Sequence, residues 1–144
     1  PLGGRVVVQT RQPSHPSIVH AARHDVRGYA TVALAERRDP AYPPYVALAN
    51  LVLSGASEVA VADAAVELGR WLRALAAARP EAEATVLGPA PCPIERLRER
   101  WRWHLLVKTP DAARLTRLVG YVAAKAPVRS PIRLVVDRDP VTLL

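Results

Sequence analysis

The chain has 144 residues, half of them apolar, and its 20 Lys and Arg against 13 Asp and Glu give a formal net charge of +7. This is enough apolar content for one domain with a core and a small additional piece. No stretch reaches the roughly 18 consecutive apolar residues of a membrane span, and the 14 prolines and 7 glycines are not periodic, which excludes a membrane helix and a collagen-like chain. The lone cysteine, Cys92, excludes an internal disulfide and a multi-cysteine zinc site and predicts a reducing, cytoplasmic location. The absence of methionine indicates a piece of a longer protein.

The first 40 residues predict a strand followed by a helix. Residues 5–10 form a short β-branched run, which predicts a lone strand without a local partner. From Ser17 to about Arg38, apolar residues recur at spacings of three and four, which predicts one amphipathic helix. Prolines at 40, 43 and 44 then restrict the backbone, so residues 39–45 are the predicted boundary between a unit at 1–40 and a domain at 41–144. Residues 42–45 (YPPY) are interpreted as a stiff linker, with a polyproline-type ligand as the alternative.

The rest of the chain alternates between strand and helix patterns. Strands are predicted at 46–53, 84–88, 101–109 and 132–136, with a rigid connection over 89–93. One helix is predicted from Ser57 to about Arg79, and a second after Thr109, whose hydroxyl is the predicted cap, with Pro110 in the first helical position and Asp111 favourably near the helix dipole. The order βαββαβ predicts an α+β fold of the ferredoxin-like (split βαβ) type: a four-stranded antiparallel sheet with both helices on one face and the other face open.

Candidate catalytic and metal-binding residues lack the partners that such sites require. His20 and His24 have helical spacing but no third ligand nearby. Cys92 lies between two prolines without a feature that would activate its thiol, and Asp137 and Asp139 fit a turn as well as an acid pair. No nucleotide-binding motif is present, so no catalytic, cofactor-binding or metal-binding residue is predicted.

The segment from Ile94 to Lys108 combines cations with aromatic rings, the combination that binds single-stranded or forked nucleic acid. The alternative is an ordinary solvated hairpin, in which Trp103 belongs to the core and Glu95 and Glu99 pair with arginines. The predicted nucleic-acid-binding residues are Arg96, Arg98, Arg100, Trp101, Arg102, His104 and Lys108.

Five blocks of sequence, in order, carry a family resemblance. They are residues 4–10 (GRVVVQT) with His15–Pro16, 42–45 (YPPY), 87–94 (LGPAPCPI), 100–108 (RWRWHLLVK) and 136–141 (VDRDPV). Together they resemble the C-terminal part of the PriA family of bacterial replication restart helicases. The resemblance runs nearly from end to end of the chain.

The resemblance implies an ATP-dependent 3′-to-5′ DNA helicase that recognises branched DNA and reloads the replisome. Residues 1–40 then correspond to the end of the second helicase lobe, and 41–144 to a C-terminal domain that contributes to DNA binding. The resemblance implies that ATP, magnesium and zinc are held by other parts of the parent protein, so none is expected in this chain. The implied partners are branched and single-stranded DNA, single-stranded-DNA-binding protein and other primosome proteins, with no membrane and a monomeric state.

In this family, the domain and the helicase core receive the C-terminal tail of single-stranded-DNA-binding protein. Ala112 and Thr116 occupy positions where relatives carry basic or polar residues for that tail, so Arg114 and Arg117 are the predicted partner-binding residues. Two hypotheses follow for the chain itself. It binds DNA directly and acts as a scaffold, or it docks on the helicase core and recruits single-stranded-DNA-binding protein without touching DNA.

Overall fold

The computed structural model describes residues 3–143, which form two compact units divided after Pro40. Residues 1, 2 and 144, at the outer ends of the two predicted domains, lie outside the described part. The first unit contains α1 (Pro16–Ala22) and α2 (Val26–Arg38). The second unit contains β1 (Ala47–Gly55), α3 (Glu58–Ala78), β2 (Thr85–Leu97), β3 (Arg100–Thr109), α4 (Ala112–Lys125) and β4 (Arg133–Arg138). Among the described residues, no helix is long and apolar enough to cross a membrane.

The predicted strand at residues 5–10 is wrong, because this segment has no regular secondary structure. Val6, Val7 and Val8 are 87%, 85% and 60% exposed. A strand is stable only when its backbone N–H and C=O groups pair with a neighbour, and no such neighbour exists in the described part of this unit. The β-branched residues therefore favour a strand, but no second strand in the described part of this unit pairs with them.

The single helix predicted from Ser17 to Arg38 is wrong, because it is broken into α1 and α2. His24 adopts a left-handed conformation with φ of 54°, and Asp25 caps α2 by accepting a hydrogen bond of 2.8 Å from the Gly28 N–H. This hydrogen bond, and then the 2.9 Å bond between Asp25 and His20 Nδ1, lowers the pKa of Asp25. His20 is thus paired with Asp25 and His24 lies in the break. Within residues 3–143, no three potential metal ligands cluster.

The second unit is built on an antiparallel sheet with strand order β2–β3–β1–β4. The predicted α+β class and four-stranded antiparallel sheet are confirmed. β2 runs through the proline-rich segment 89–93, where a non-strand connection was predicted, and its pairing with β3 shifts register on both sides of Ala90 and Pro91. β2 is an edge strand, so one side of its backbone has no neighbouring strand to bond, and prolines, which lack an N–H, are tolerated there.

The N-terminal cap of α4 is Asp111, not the predicted Thr109. The Asp111 side chain accepts a hydrogen bond from the Arg114 N–H, and the Thr109 hydroxyl donates to the Asp111 carbonyl.

The hydrophobic core lies between one face of the sheet and the two helices α3 and α4. Alternate residues of β1 and β3 point into it, as the period-two pattern of strands requires. Amphipathic faces of both helices complete it, so the helices share one side of the sheet. The buried core residues are Ala47, Ala49, Leu51, Leu53, Val61, Ala65, Leu68, Leu72, Leu105, Val107, Leu115, Leu118 and Val122.

Gly88 turns the backbone of β2 with a φ of +93°, and a Cβ at this position would lie 3.0 Å from the His104 carbonyl oxygen. Gly88→Ala is therefore expected to lower the free energy of unfolding by about 1–3 kcal/mol, through both the left-handed conformation and the contact. Urea denaturation followed by tryptophan fluorescence measures this, because all three tryptophans belong to the second unit. Gly120→Ala in α4 is the control, since its Cβ meets nothing within 4 Å, and it is expected to stabilise the helix by up to about 1 kcal/mol. Equal stability of both variants would contradict the prediction.

Candidate nucleic-acid interface

The sheet face opposite the core carries a groove of about 430 Å³, which we call the arginine groove. No helix of the second unit packs on this face among the described residues. Four arginines and one carboxylate line it together with apolar and amide side chains, so its net charge is positive. The residues that form it are Asn50, Val52, Ser54, Leu97, Arg98, Arg100, Arg102, Arg133, Val135, Val136 and Asp137.

Strand alternation explains why these side chains meet. On β1, Asn50, Val52 and Ser54 alternate with core residues and so form the floor of the groove. Backbone pairing places β3 on one side of this floor and β4 on the other, with Ser54 opposite both Arg102 and Arg133. The groove is therefore assembled from three strands that are far apart in sequence.

The hairpin between β2 and β3 brings Arg98 to the rim of the groove. Its turn has only two residues, Arg98 and Glu99, with φ of 50° and 62°. Both are left-handed, as a two-residue turn between antiparallel strands requires. Arg98 and Arg133 are exposed, and their side chains form no hydrogen bond or ion pair with the described residues, so their guanidinium groups are available to a ligand.

Arg100 and Arg102 are held by the protein. Arg100 is half-buried and donates to the Ser54 carbonyl at 2.8 Å, and Arg102 donates to the Ile94 carbonyl at 3.4 Å. These contacts fix where the two side chains lie. A guanidinium group has five N–H donors, so one or two bonds to the protein leave others for an anion.

Arg96 and Trp101 lie apart from the groove. The two residues face each other across β2 and β3, with the Arg96 guanidinium 5.5 Å from the Trp101 ring, and Trp101 packs at the edge of the core. Arg96 also pairs with Glu99 at 2.6 Å. Strand alternation therefore places Trp101 on the opposite sheet face from Arg100 and Arg102, where it cannot stack on a base held in the groove.

Lys108 was predicted to contact nucleic acid, but the structure buries it. It is 8% exposed, and its Nζ lies 4.0 Å from the centre of the Tyr42 ring. Burial lowers the pKa of Lys108. Tyr42 thus covers this end of the open face, where Leu48 and Leu106 are also buried, and the ammonium group points to an aromatic ring rather than to the groove.

His104 lies on the same face as Arg102 but does not line the groove, and its Nδ1 is buried without a hydrogen-bond partner. Burial, and then the positive charge of Arg102, lowers the pKa of His104, so the imidazole is neutral at pH 7. It therefore adds no charge to the interface.

Cys92 is buried as well, and this burial raises the pKa of its thiol, so it packs as an unreactive side chain.

His104 is expected to make the second unit less stable in mild acid. The unfolded chain takes up a proton near pH 6.5 while the folded chain resists it, so stability is present above about pH 6.5 and falls as the pH drops toward the folded pKa. Urea denaturation at pH 7.5 and 5.5, followed by tryptophan fluorescence, measures this fall. In His104→Gln the fall is expected to be smaller, and an identical fall in the variant would contradict the assignment.

The structure thus brings together Arg98, Arg100 and Arg102 of the predicted set, and leaves the other four predicted residues outside the groove. Arg133, Asn50 and Asp137 were missed. The available signal was the alternation of polar residues with apolar ones along β1 and β4, which places these side chains on the open face. Asp139, which in the sequence fits an acid pair with Asp137 as well as a turn, pairs with Arg138 at 3.2 Å.

Comparison with known proteins decides the family. The model of the family described as "Primosomal protein N C-terminal domain" matches residues 38–141, most of the chain. The chain belongs to this family. The family match begins at residue 38, within three residues of the start of the second unit at Ala41. We therefore call the second unit the primosomal domain.

Relatives of the chain carry the name replication restart protein PriA. The Bacillus subtilis (strain 168) protein is 32% identical over 116 residues, which cover 81% of this chain and 14% of the relative. The Synechocystis protein is 31% identical over 143 residues, covering 97% of this chain and 16% of the relative. The Treponema pallidum protein is 28% identical over 141 residues, which cover 98% of this chain and 21% of the relative. The chain therefore spans about a fifth or less of the length of these relatives.

On the helix layer of the primosomal domain, Arg114 is occupied by internal bonds. Its guanidinium group bonds to Asp111 at 2.9 Å, to Glu83 at 3.0 Å and to the Glu81 carbonyl at 3.0 Å. Arg117 is exposed and lines a small cleft of about 120 Å³ with Arg79 and Leu118 among others. Of the two predicted partner-binding residues, Arg117 is the exposed one, whereas Arg114 is held by these contacts.

Arg114→Ala is expected to lower the free energy of unfolding of the primosomal domain by about 1–2 kcal/mol. Two contacts that join α4 to the loop before β2 are lost together with a third, to the α4 cap residue Asp111. Arg117→Ala is the matched control and is expected to change stability by less than about 0.5 kcal/mol. Urea denaturation measures both. If Arg117→Ala were the more destabilising change, the assigned roles of the two arginines would be wrong.

Proposed function

We propose that the primosomal domain binds nucleic acid through the arginine groove, within the C-terminal region of an ATP-dependent DNA helicase that acts in replication restart and primosome assembly. The observation that carries this proposal is the convergence of four arginines from the hairpin, β3 and β4 on a sheet face that no helix covers within residues 41–143. Arginine binds phosphate oxygens with paired hydrogen bonds, and such contacts supply most of the affinity for nucleic acid. The names of the relatives support the role in replication restart.

The lining of the groove favours a nucleic acid over a small inorganic anion. Val52, Val135 and Leu97 line the groove together with the arginines, so it offers apolar contacts alongside charged ones. A nucleic acid presents the same combination, with charged phosphates and less polar sugars and bases. No residue of this chain is assigned to ATP, magnesium or zinc, and no catalytic step is assigned to it.

The test is a fluorescence-anisotropy titration of the 144-residue chain against a labelled forked DNA at 50 and 200 mM salt. In a plot of the logarithm of the affinity against the logarithm of the salt concentration, each phosphate contact contributes a slope of about −0.7 to −0.9. Three contacts therefore predict that the affinity falls about 30-fold from 50 to 200 mM salt. Circular dichroism confirms that the chain is folded in both buffers. A folded chain that shows no binding at 50 mM salt would overturn the proposal.

A second candidate function is recruitment of an acidic protein partner, such as the tail of single-stranded-DNA-binding protein, on the helix layer. A cleft lined by three arginines and one carboxylate supports it, because its net charge is positive; its residues are Arg79, Glu81, Ala82, Arg114, Arg117 and Leu118. The same domain would then also dock on the helicase core. Titration with a labelled acidic peptide distinguishes the two, because Arg117→Ala would weaken peptide binding and leave DNA binding unchanged.

A further inference from the structure

Asn50 on the floor of the arginine groove has an unsatisfied carbonyl. The residue is only 3% exposed, and its Oδ1 has no hydrogen-bond donor among the described residues. An unpaired buried carbonyl destabilises the folded state, so an apolar side chain of similar size would serve the fold better. The terminal torsion of asparagine turns over a broad range, which lets the carboxamide present this oxygen to a donor in the groove.

A second acceptor lies directly beside it. Asp137 of β4 pairs in register with Asn50, and both line the groove. The opposite end of the groove is cationic: Ser54 accepts hydrogen bonds from Arg100, and Arg98 and Arg133 lie at the same end. From Asn50 to Ser54 the distance is about 13 Å along the strand, at about 3.3 Å per residue. The groove is therefore polarised, with acceptors at one end and cations at the other.

This polarity specifies the ligand. A molecule that fills the groove needs N–H donors at one end and negative charge at the other, which a nucleotide with an exocyclic amino group supplies. Thymine offers only its single N3–H donor, flanked by two carbonyl oxygens that would face the two acceptors, whereas an exocyclic amino group has two hydrogens, one for each acceptor. In a duplex the amino groups of the bases are already paired, and a recessed floor is reached more readily by an unpaired base.

We propose that the arginine groove seats one unpaired nucleotide whose base carries an amino group, with Asn50 and Asp137 receiving that group and the arginines holding the flanking phosphates. This inference rests on the proposed function, because it names which nucleic acid the groove reads. It makes the primosomal domain a reader of unpaired cytosine, adenine or guanine in preference to thymine.

The experiment compares two labelled 12-nucleotide strands, oligo-dC and oligo-dT, in anisotropy titrations with the 144-residue chain at pH 7.5. Both bases are single-ring pyrimidines. They differ in their hydrogen-bonding edge, where cytosine has an amino group and thymine a carbonyl and an N3–H, and in the methyl group of thymine. The chain is expected to bind oligo-dC about five- to tenfold more tightly, at the lower end of what one well-placed base contact contributes. In Asn50→Leu, which keeps Asp137 as an acceptor, the ratio between the two affinities is expected to fall toward one.

A second variant keeps the inference falsifiable if Asn50→Leu alters the sheet. Asp137→Asn is expected to strengthen binding of both strands and to reduce the ratio between them, whereas Asp63→Asn, an equal charge change on the exposed side of α3, leaves the ratio unchanged. Equal, salt-dependent binding of both strands by the wild type would overturn this inference and leave the proposed function standing. Binding of neither strand nor of forked DNA would overturn both. A preference that is undiminished in Asn50→Leu would overturn the role of Asn50.

Discussion

Replacing Arg98, Arg102 and Arg133 together by alanine is expected to weaken forked-DNA binding on the order of 100-fold in low salt. Each lost guanidinium removes a charge-assisted contact to phosphate, and the three lie on different sides of the groove, so no single neighbour compensates. The salt dependence is also expected to become shallower, by about 0.7–0.9 in logarithmic slope for each lost contact. Arg100 is left unchanged because it also binds Ser54 within the sheet.

The matched control removes the same charge elsewhere. Arg70, Arg117 and Lys125 are exposed on α3 and α4, on the other side of the sheet, and their joint replacement by alanine is expected to change affinity only a fewfold. Anisotropy titrations of both triple variants and the wild type at two salt concentrations measure the difference. Equal losses in the two variants would mean that overall charge, rather than the groove, binds DNA.

Leu51→Ala is expected to lower the free energy of unfolding of the primosomal domain by about 2–5 kcal/mol. Leu51 is fully buried at the centre of the sheet, between Leu105 on β3 and Val136 on β4. Its truncation leaves a cavity that the surrounding strands cannot close. Urea denaturation with tryptophan fluorescence measures the loss, and an unchanged m-value shows that the unfolding transition itself is the same.

The adjacent residue is the control for this prediction. Val52 points to the other face of the same strand, where it forms part of the floor of the groove, and it is only partly buried. Val52→Ala is expected to cost about 1 kcal/mol, since fewer methyl groups leave a less enclosed environment. A larger loss for Val52 than for Leu51 would mean that the core and the groove have been assigned to the wrong faces.

Leu51 and Leu53 show what could be predicted from the sequence. They lie in an almost wholly apolar run of eight residues, 46–53, which predicts a buried strand, and the order of strand and helix patterns predicts the α+β fold. The contribution of Arg98, Arg100 and Arg102 to a cationic site could also be predicted, because they lie close together in one short segment of the sequence. Arg133 and Asn50 join them only through pairing between distant strands, which local patterns do not specify.

The errors have different physical causes. The run at residues 5–10 has strand propensity but no partner, and propensity alone does not hold a strand. The helix break at His24 depends on a cap by Asp25, which competes with a continuous helix of similar composition. Lys108 has the correct strand parity for the open face, but Tyr42, 66 positions earlier in the chain, lies against its ammonium group.

The turn formed by Arg98 and Glu99 separates what serves folding from what serves binding. Left-handed conformations cost about 1–2 kcal/mol for residues other than glycine, and Asn-Gly is the pair that best suits such a turn. A protein engineer seeking thermal stability would choose that pair and would thereby delete the guanidinium at the rim of the groove. At this turn, thermal stability favours replacing Arg98, whereas ligand binding requires that Arg98 be kept. Substitutions that aim to stabilise this domain should therefore leave the turn unchanged.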